Sequence, residues 1–413
     1  LVLLDKAGKV LRNALIWNDQ RTATEAAEIE AAVGGRAKLI KLVGNAAMTS
    51  FTLTKLLWVR KHEPKIYDRA ATMLLPKDYI RFCMTGERIG EVSDMSGTLM
   101  LDQKKRAWSK PIISTFDLDT SMLPPVVESH EITGHLTAEA AKTLGLVAGI
   151  PVVGGGGDQP AAAIGNGIVR NGMVSAMMGT SGVVFTHSKE YRVDPKSAVN
   201  TFCSCVDGEW CMFGCILSAG GSLQWLRNTL DGDYKTMDKL AAAAEPGCEG
   251  LFFLPYLTGE RTPHADPLAR GSFVGLTART RQNELVRSVM EGATFAMTDA
   301  MRLIEARGVK VGQVRLSGGG ARGVFWRQLQ ADIYGKTCVT INSEEGGALG
   351  VALLAAVANG EYRDIRQATK AAIEVTRTIK PNPAAKRRYA KLHEQYGRLY
   401  PALKKEFARI AQL

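Results

Sequence analysis

The chain has 413 residues, 46% of them apolar and 23% charged. Those are the proportions of a globular protein rather than a disordered or fibrous one, and the length predicts two domains. No window holds the roughly 18 uninterrupted apolar residues of a membrane helix, and Asp5 ends the opening Leu1–Leu4 run too early for a signal peptide. The net charge of +11 gathers toward the C-terminus, as at Lys386-Arg387-Arg388 and Lys404-Lys405, with no interleaved aromatic residues and no nucleic-acid motif, so it reads as a solvated helix face.

Leu1 to Leu4 reads as a strand entering a turn, an abrupt start that looks like an N-terminal truncation. The apolar run Ala14 to Trp17 precedes a polar stretch, and Thr22 or Thr24 could cap a helix through Glu25 to Ala32. Helices are predicted at Thr54–His62, Lys77–Met84 and Leu136–Leu144, with a strand at Met73–Leu75. The β-branched run Ile150–Val153 then meets four glycines, Gly154 to Gly157, and Asp158 opens a helix-compatible stretch. Beyond Gly167 the texture changes to hairpins. One has its tip at Gly179-Thr180-Ser181-Gly182, and another turns at Gly208-Glu209 between Thr201–Val206 and Trp210–Ile216. Strand–loop–helix units follow. Ser218–Arg227 opens on Gly220-Gly221, the helical spacing from Leu285 to Ile304 ends at Gly308, and Val314–Ser317 leads into Gly318-Gly319-Gly320. Cys338–Ile341 is a strand, Gly347–Ala358 a small-residue helix, and Leu392–Leu413 an amphipathic helical stretch. This order predicts an α/β fold in two domains, 1–168 and 169–413.

Cys203, Cys205, Cys211 and Cys215 lie close together, but their spacing is not a usual zinc pattern. They read as buried free thiols in a reducing cytoplasm, and no metal-ligand set is assigned.

Asp158 stands where a glycine turn becomes a helix. Glycines allow φ > 0 and close approach of a ligand, and a carboxylate placed there suits a general base. It equally suits an ordinary N-cap. Gly154–Gly157, Gly179–Gly182 and Gly318–Gly320 are three small-residue turns at strand ends, none of them a Walker A loop or a GxGxxG dinucleotide site. Each alone is ordinary turn chemistry. Together, with Thr180 and Ser181 as hydroxyl donors and one nearby carboxylate, they point to phosphoryl transfer onto a hydroxyl, a reaction catalysed mostly by positioning and charge neutralisation.

Several longer stretches resemble a known family. Ser50–His62 (SFTLTKLLWVRKH) matches the first signature of the FGGY carbohydrate kinases. Gly271–Leu276, continuing through Glu284-Leu285 to Ser288–Glu291, matches the second. Leu75–Tyr79, Ser93–Thr98 and Gly259–His264 look like the xylulokinase branch, and the likeness runs from Trp17 to about Tyr400. The resemblance implies a two-domain actin-like/ribonuclease-H-like ATPase fold with its active site in the cleft between domains. It implies that Asp158 is the catalytic base and that Gln159 binds the polyol beside it. Xylulokinases usually carry Asn at that second position, and glycerol kinases Gln. Trp17 matches an aromatic wall of the sugar site, or else packs in the core. Gly179 and Thr180 match the turn that meets the ATP phosphates, Gly220 and Gln224 positions near ribose and phosphates, and Gly319, Gly320 and Ala321 the turn against adenosine. The family's opening GxDxGT loop, whose Asp helps hold Mg²⁺, has no counterpart in this sequence. The implied cofactors are ATP and Mg²⁺, and the implied partners are a small-molecule sugar and ATP, without nucleic acid or membrane. A homodimer is left open as the assembly. D-xylulose, phosphorylated to D-xylulose 5-phosphate, is the favoured substrate. Ribulose, glycerol or gluconate, or a non-catalytic nucleotide- or sugar-binding fragment, are the alternatives.

Overall fold

The computed structural model describes residues 1–343 and 346–412. Its contacts divide the chain into two compact units, and the division is discontinuous. The first unit comprises Leu1–Val169, Ser188–Cys211 and Glu345–Ala372; the second is the rest of the described chain. The single break expected near Ile168 therefore misses two segments that return to the first unit.

In the first unit, the strand Val2–Leu4 pairs antiparallel with Thr72–Leu74. Helices Ala23–Ala32, Arg36–Val43 and Thr52–His62 bury Ile29, Leu39, Leu53, Leu56 and Val59 in one core with Leu3 and Met73. The apolar run at Ala14–Trp17 contributes only Leu15 to that core: Ile16 and Trp17 are 52% and 70% exposed. The packing alternative for Trp17 is thereby excluded.

The strand Pro151–Val153 pairs with Ile132–His135 and delivers the chain into the glycine run. After it, the helix Asp158–Gly165 packs on the helix Gly346–Ala358, which explains why the late segment belongs to the first unit. Their backbones touch. A Cβ at Gly165 would sit 1.8 Å from the carbonyl of Gly346, and one at Gly350 would sit 1.9 Å from the carbonyl of Ala161. Glycine is required at both, because no side chain there can move aside.

The second unit is built on a mixed sheet. Its strands run in the order Trp210–Ile216, Gly182–Ser188, Met173–Met178, Gln313–Ser317, Thr337–Ile341, Val375–Ile379. Met173–Met178 and Gln313–Ser317 are parallel neighbours, Met177 lying opposite Ser317, so both strands end at the same edge. The long helix Gln282–Ala306 is buried along most of its length and packs against helices Gly220–Thr229, Tyr234–Ala243 and Val324–Tyr334. Val375–Ile379 escaped the sequence reading because it is an exposed edge strand whose Thr and Arg residues give no apolar alternation.

Gly350→Ala is expected to lower the melting temperature by about 5 °C or more, because overpacking against backbone costs about 1–3 kcal/mol and often more. Thermal unfolding followed by circular dichroism checks this; an unchanged midpoint would show that the two helices separate freely.

Candidate active site

Asp158 is the first residue of its helix and is exposed, while Gly154 and Gly157 before it are buried. Both carboxylate oxygens are engaged by the next residue: the Gln159 backbone N–H donates to Oδ1 at 2.8 Å and Gln159 Nε2 donates to Oδ2 at 3.3 Å. The carboxylate is thus held by its neighbour while remaining exposed. Pro160 brings no N–H to this helix end, which leaves fewer orphan donors to satisfy.

Beneath the glycine run lies a buried ionic network. Lys77 and Arg81 are one turn apart on the helix Pro76–Thr85, so they share a face. Lys77 Nζ is 2.6 Å from Asp78 Oδ1 and 3.5 Å from Glu91 Oε2; Arg81 Nη2 is 3.2 Å from Asp78 Oδ1. Both cations also donate to the carbonyl of Gly154, Arg81 at 2.8 Å and Lys77 at 3.3 Å. Glu91, fully buried, caps the short helix Val92–Met95. It accepts from the Ser93 and Asp94 backbone N–H groups and from the Ser93 and Ser129 hydroxyls, at 2.6 to 3.2 Å. Ser93 Oγ in turn accepts from the N–H of Gly157 at 3.0 Å. The run is glycine because it is crowded: a Cβ at Gly156 would lie 2.4 Å from Cys205 Sγ, and one at Gly157 would lie 3.3 Å from Asp94 Oδ1.

The charges in this network are perturbed accordingly. Burial works against the Lys77 cation, but Asp78, Glu91 and Asp94 overcome it and lift its pKa above the usual lysine range. Burial raises the Asp94 carboxyl to about 7; Lys77 pulls it back, while the charges of Asp78, Glu91 and Asp158 add to the rise. Asp94 is therefore a second carboxylate close enough to Asp158 to feel its charge.

In the second unit the two remaining glycine turns and the helix start at Gly220-Gly221 meet at one strand end. The hairpin tip closes with the Gly179 N–H donating to the Ser181 carbonyl at 2.9 Å. The helix Gly220–Thr229 starts against that tip: the Gly220 N–H donates to the Gly179 carbonyl and the Gly221 N–H to the Thr180 carbonyl, both at 2.9 Å. Gln224, one helical turn on from Gly220, is exposed. Gly318–Gly320 abuts the same strand end. Gly318 has φ +75°, and a Cβ there would lie 2.7 Å from the Met178 carbonyl. The tight helical turn Gly319–Ala321 is held from below, Gln330 Nε2 donating to the Gly320 carbonyl at 2.9 Å and Arg327 Nη1 to the Ala321 carbonyl at 2.7 Å. The parallel pairing of the two strands brings these turns to one sheet edge, the usual location of ligand sites in α/β sheets. A cavity of about 290 Å³ in the same unit, lined by Tyr256, His264, Asp299, Arg302, Tyr396 and Tyr400 among others, contains none of these turns.

Residues 1–165 match the model of the FGGY family of carbohydrate kinases, N-terminal domain, and residues 174–359 match its C-terminal domain. The chain belongs to the FGGY family of carbohydrate kinases. This FGGY kinase is 42% identical over 405 residues to the xylulose kinase of Escherichia coli, an alignment covering 97% of this chain and 82% of that protein. Its fold is similar to the crystal structure of ligand-bound xylulose kinase from Lactobacillus acidophilus, with a TM-score of 0.94 and 26% identity over 99% of this chain and 83% of the other. It is as similar to gluconate kinase from the same organism, with a TM-score of 0.94 and 25% identity over the same shares of the two chains. The two-domain FGGY kinase fold is therefore shared across sugars, and the sugar has to be read from side chains.

Of the residues singled out from sequence, the first unit brings Asp158 and Gln159 into direct contact. Trp17 stands on an exposed loop of the same unit. Gly179 is joined to Gly220, and Thr180 to Gly221, by backbone hydrogen bonds in the second unit, with Gly319, Gly320 and Ala321 at the neighbouring strand end. The sequence reading assigned no role to Lys77, Arg81, Glu91, Ser93 or Asp94. All but Arg81 and Glu91 lie inside stretches already quoted for their family likeness, and that was the available signal.

Two substitutions test this geometry. The native pKa of Asp94 lies above the unfolded value, so its contribution to stability is complete below about pH 4 and is lost as pH rises toward 7. Asp94→Asn should therefore raise the melting temperature by roughly 2–4 °C at pH 8 and by less at pH 4, read from melting curves across that range. Gly318→Ala forces a Cβ into a left-handed residue against the Met178 carbonyl. Calorimetric titration should show ATP affinity falling about tenfold or more while sugar binding is kept.

Proposed function

We propose that this kinase transfers the γ-phosphoryl group of ATP to a terminal hydroxyl of a ketopentose, D-xylulose before other sugars, with Asp158 as general base. The observation that carries the reading is the exposed Asp158 carboxylate, oriented on both oxygens by Gln159 and mounted on a glycine run tied down at each end. A base must be held at hydrogen-bond distance from the proton it removes, and that mounting supplies the fixity. Asp158 takes the proton as the hydroxyl oxygen attacks phosphorus. Gln159, whose amide reaches the same carboxylate, is placed to hydrogen-bond a second hydroxyl of the sugar. Trp17 offers an exposed apolar ring as a wall for the carbon skeleton. Likeness to xylulose kinases along nearly the whole chain supports D-xylulose.

For the nucleotide we assign the phosphates to Gly179 and Thr180, the ribose and phosphate surroundings to Gly220 and Gln224, and adenosine to Gly319, Gly320 and Ala321. Backbone turns suit this task because phosphoryl transfer asks for positioning and charge neutralisation more than for reactive side chains. Mg²⁺ would arrive with the nucleotide. It binds through phosphate oxygens, waters and one or two carboxylates rather than an all-protein cage. Among the described residues no group of three or more His, Cys, Asp or Glu side chains could hold a metal by itself. Its chemistry is to neutralise the phosphate charge that develops during transfer. We place the enzyme in a reducing cytoplasm, since all seven cysteines are free and five of them are buried thiols with raised pKa values.

A coupled ADP-release assay with D-xylulose, ribulose, glycerol and gluconate tests the substrate. The highest kcat/KM is expected with D-xylulose, and a higher value with any of the others overturns the choice. Asp158→Asn should retain ATP binding while kcat falls by at least about 100-fold; a loss below about tenfold would remove the general-base role, since positioned proton transfer contributes about 10²–10⁴.

A further inference from the structure

We propose that Ser93, oriented by Glu91, is a positioning residue for phosphoryl transfer: its hydroxyl pins the backbone N–H of Gly157 and so fixes where the Asp158 carboxylate stands. The inference rests on the reading of Asp158 as general base. Ser93 is fully buried and touches no solvent. A serine hydroxyl carries one proton, and the Glu91 carboxylate at 2.8 Å takes it, because an ionised carboxylate only accepts. The remaining lone pairs of Ser93 Oγ must then accept, and the N–H of Gly157 at 3.0 Å is a donor aimed at them. Glu91 decides the polarity of the whole relay.

Four consecutive glycines form a soft segment of backbone, with Gly155 at φ +78°. Asp158 hangs from the end of that segment, so torsional play in the run would carry the carboxylate with it. The run is tied at Gly154, whose carbonyl accepts from Arg81 and Lys77, and at Gly157 through Ser93. A plain helix cap needs only a surface side chain. Here a buried carboxylate, which is expensive to desolvate, is neutralised by Lys77 and spends its four hydrogen bonds holding one short segment. That arrangement matches a requirement for placement near the reacting atoms rather than for stability alone.

Ser93→Ala and Ser93→Thr in the intact kinase, compared with wild type and Asp158→Asn, test this. Ser93→Ala should lower kcat by about 10- to 100-fold, the scale of loss when a catalytic group is misplaced, with KM for sugar and for ATP within about twofold of wild type. Ser93→Thr, which keeps the oxygen, should retain kcat within about threefold. Wild-type kcat in Ser93→Ala overturns the proposal, as does a loss in which both KM values rise in step with it. A Ser93→Thr enzyme that melts like wild type yet is as slow as Ser93→Ala also overturns it. If Asp158→Asn itself keeps near-wild-type kcat, the general-base reading fails instead. An inactive Asp158→Asn beside a fully active Ser93→Ala overturns only the positioning role.

Discussion

The buried carboxylate of Glu91 is the contact on which the first unit's chemistry depends. An isolated charge at that depth would destabilise the fold by several kcal/mol, so it persists only because Lys77 lies 3.5 Å away and four donors converge on it. Those donors come from distant parts of the chain, Ser93 and Asp94 on one side and Ser129 on the other. Closing them around Glu91 ties the short helix Val92–Met95 to the loop at Ser129, and through Ser93 to Gly157. Lys77 and Arg81 close the other end of the glycine run at Gly154. The fixity of Asp158 is therefore a property of an ionic network spread over some eighty residues, and the carboxylate itself can remain exposed for a substrate.

The second unit reaches its geometry by other means. Its candidate contacts are mostly backbone groups, gathered because two parallel strands end side by side and because glycine lets the Gly220 helix start and the Gly318 turn each approach closely to the Met178–Thr180 strand end. Nothing in those turns needs to ionise. This division of labour suits phosphoryl transfer, in which one proton must be removed while a polyanion is held and neutralised. On the proposed assignment, side chains of the first unit, and not the turns of the second, would set the choice of sugar. The fold as a whole is equally close to a xylulose kinase and a gluconate kinase.

Much of the candidate site was legible in the sequence where the signal is local. A glycine run ahead of a helix, with an aspartate at the join, announces itself within eight residues, and the hairpin tip at Gly179–Gly182 does the same. The network below Asp158 was not legible, because its members sit in separate short motifs and acquire meaning only when tertiary burial brings opposite charges together. The return of a late helix to the first unit was not legible for a similar reason. The helix Gly346–Ala358 is apolar or small nearly all round, so its pattern names no partner, and only the backbone contacts of Gly346 and Gly350 with the Asp158 helix reveal where it belongs. For Trp17 the sequence left two readings open, a sugar-site wall or core packing, and only burial separates them: Leu15 alone of that apolar run is buried.

A double-mutant cycle tests the link between network and base most directly. If Ser93 acts only through the placement of Asp158, then adding Ser93→Ala to Asp158→Asn should cost no further kcat, although Ser93→Ala alone is costly. The two losses would be strongly non-additive, as expected of residues that act as one unit. Independent, additive losses in the double variant would contradict the claim that the buried network works by holding Asp158 in place.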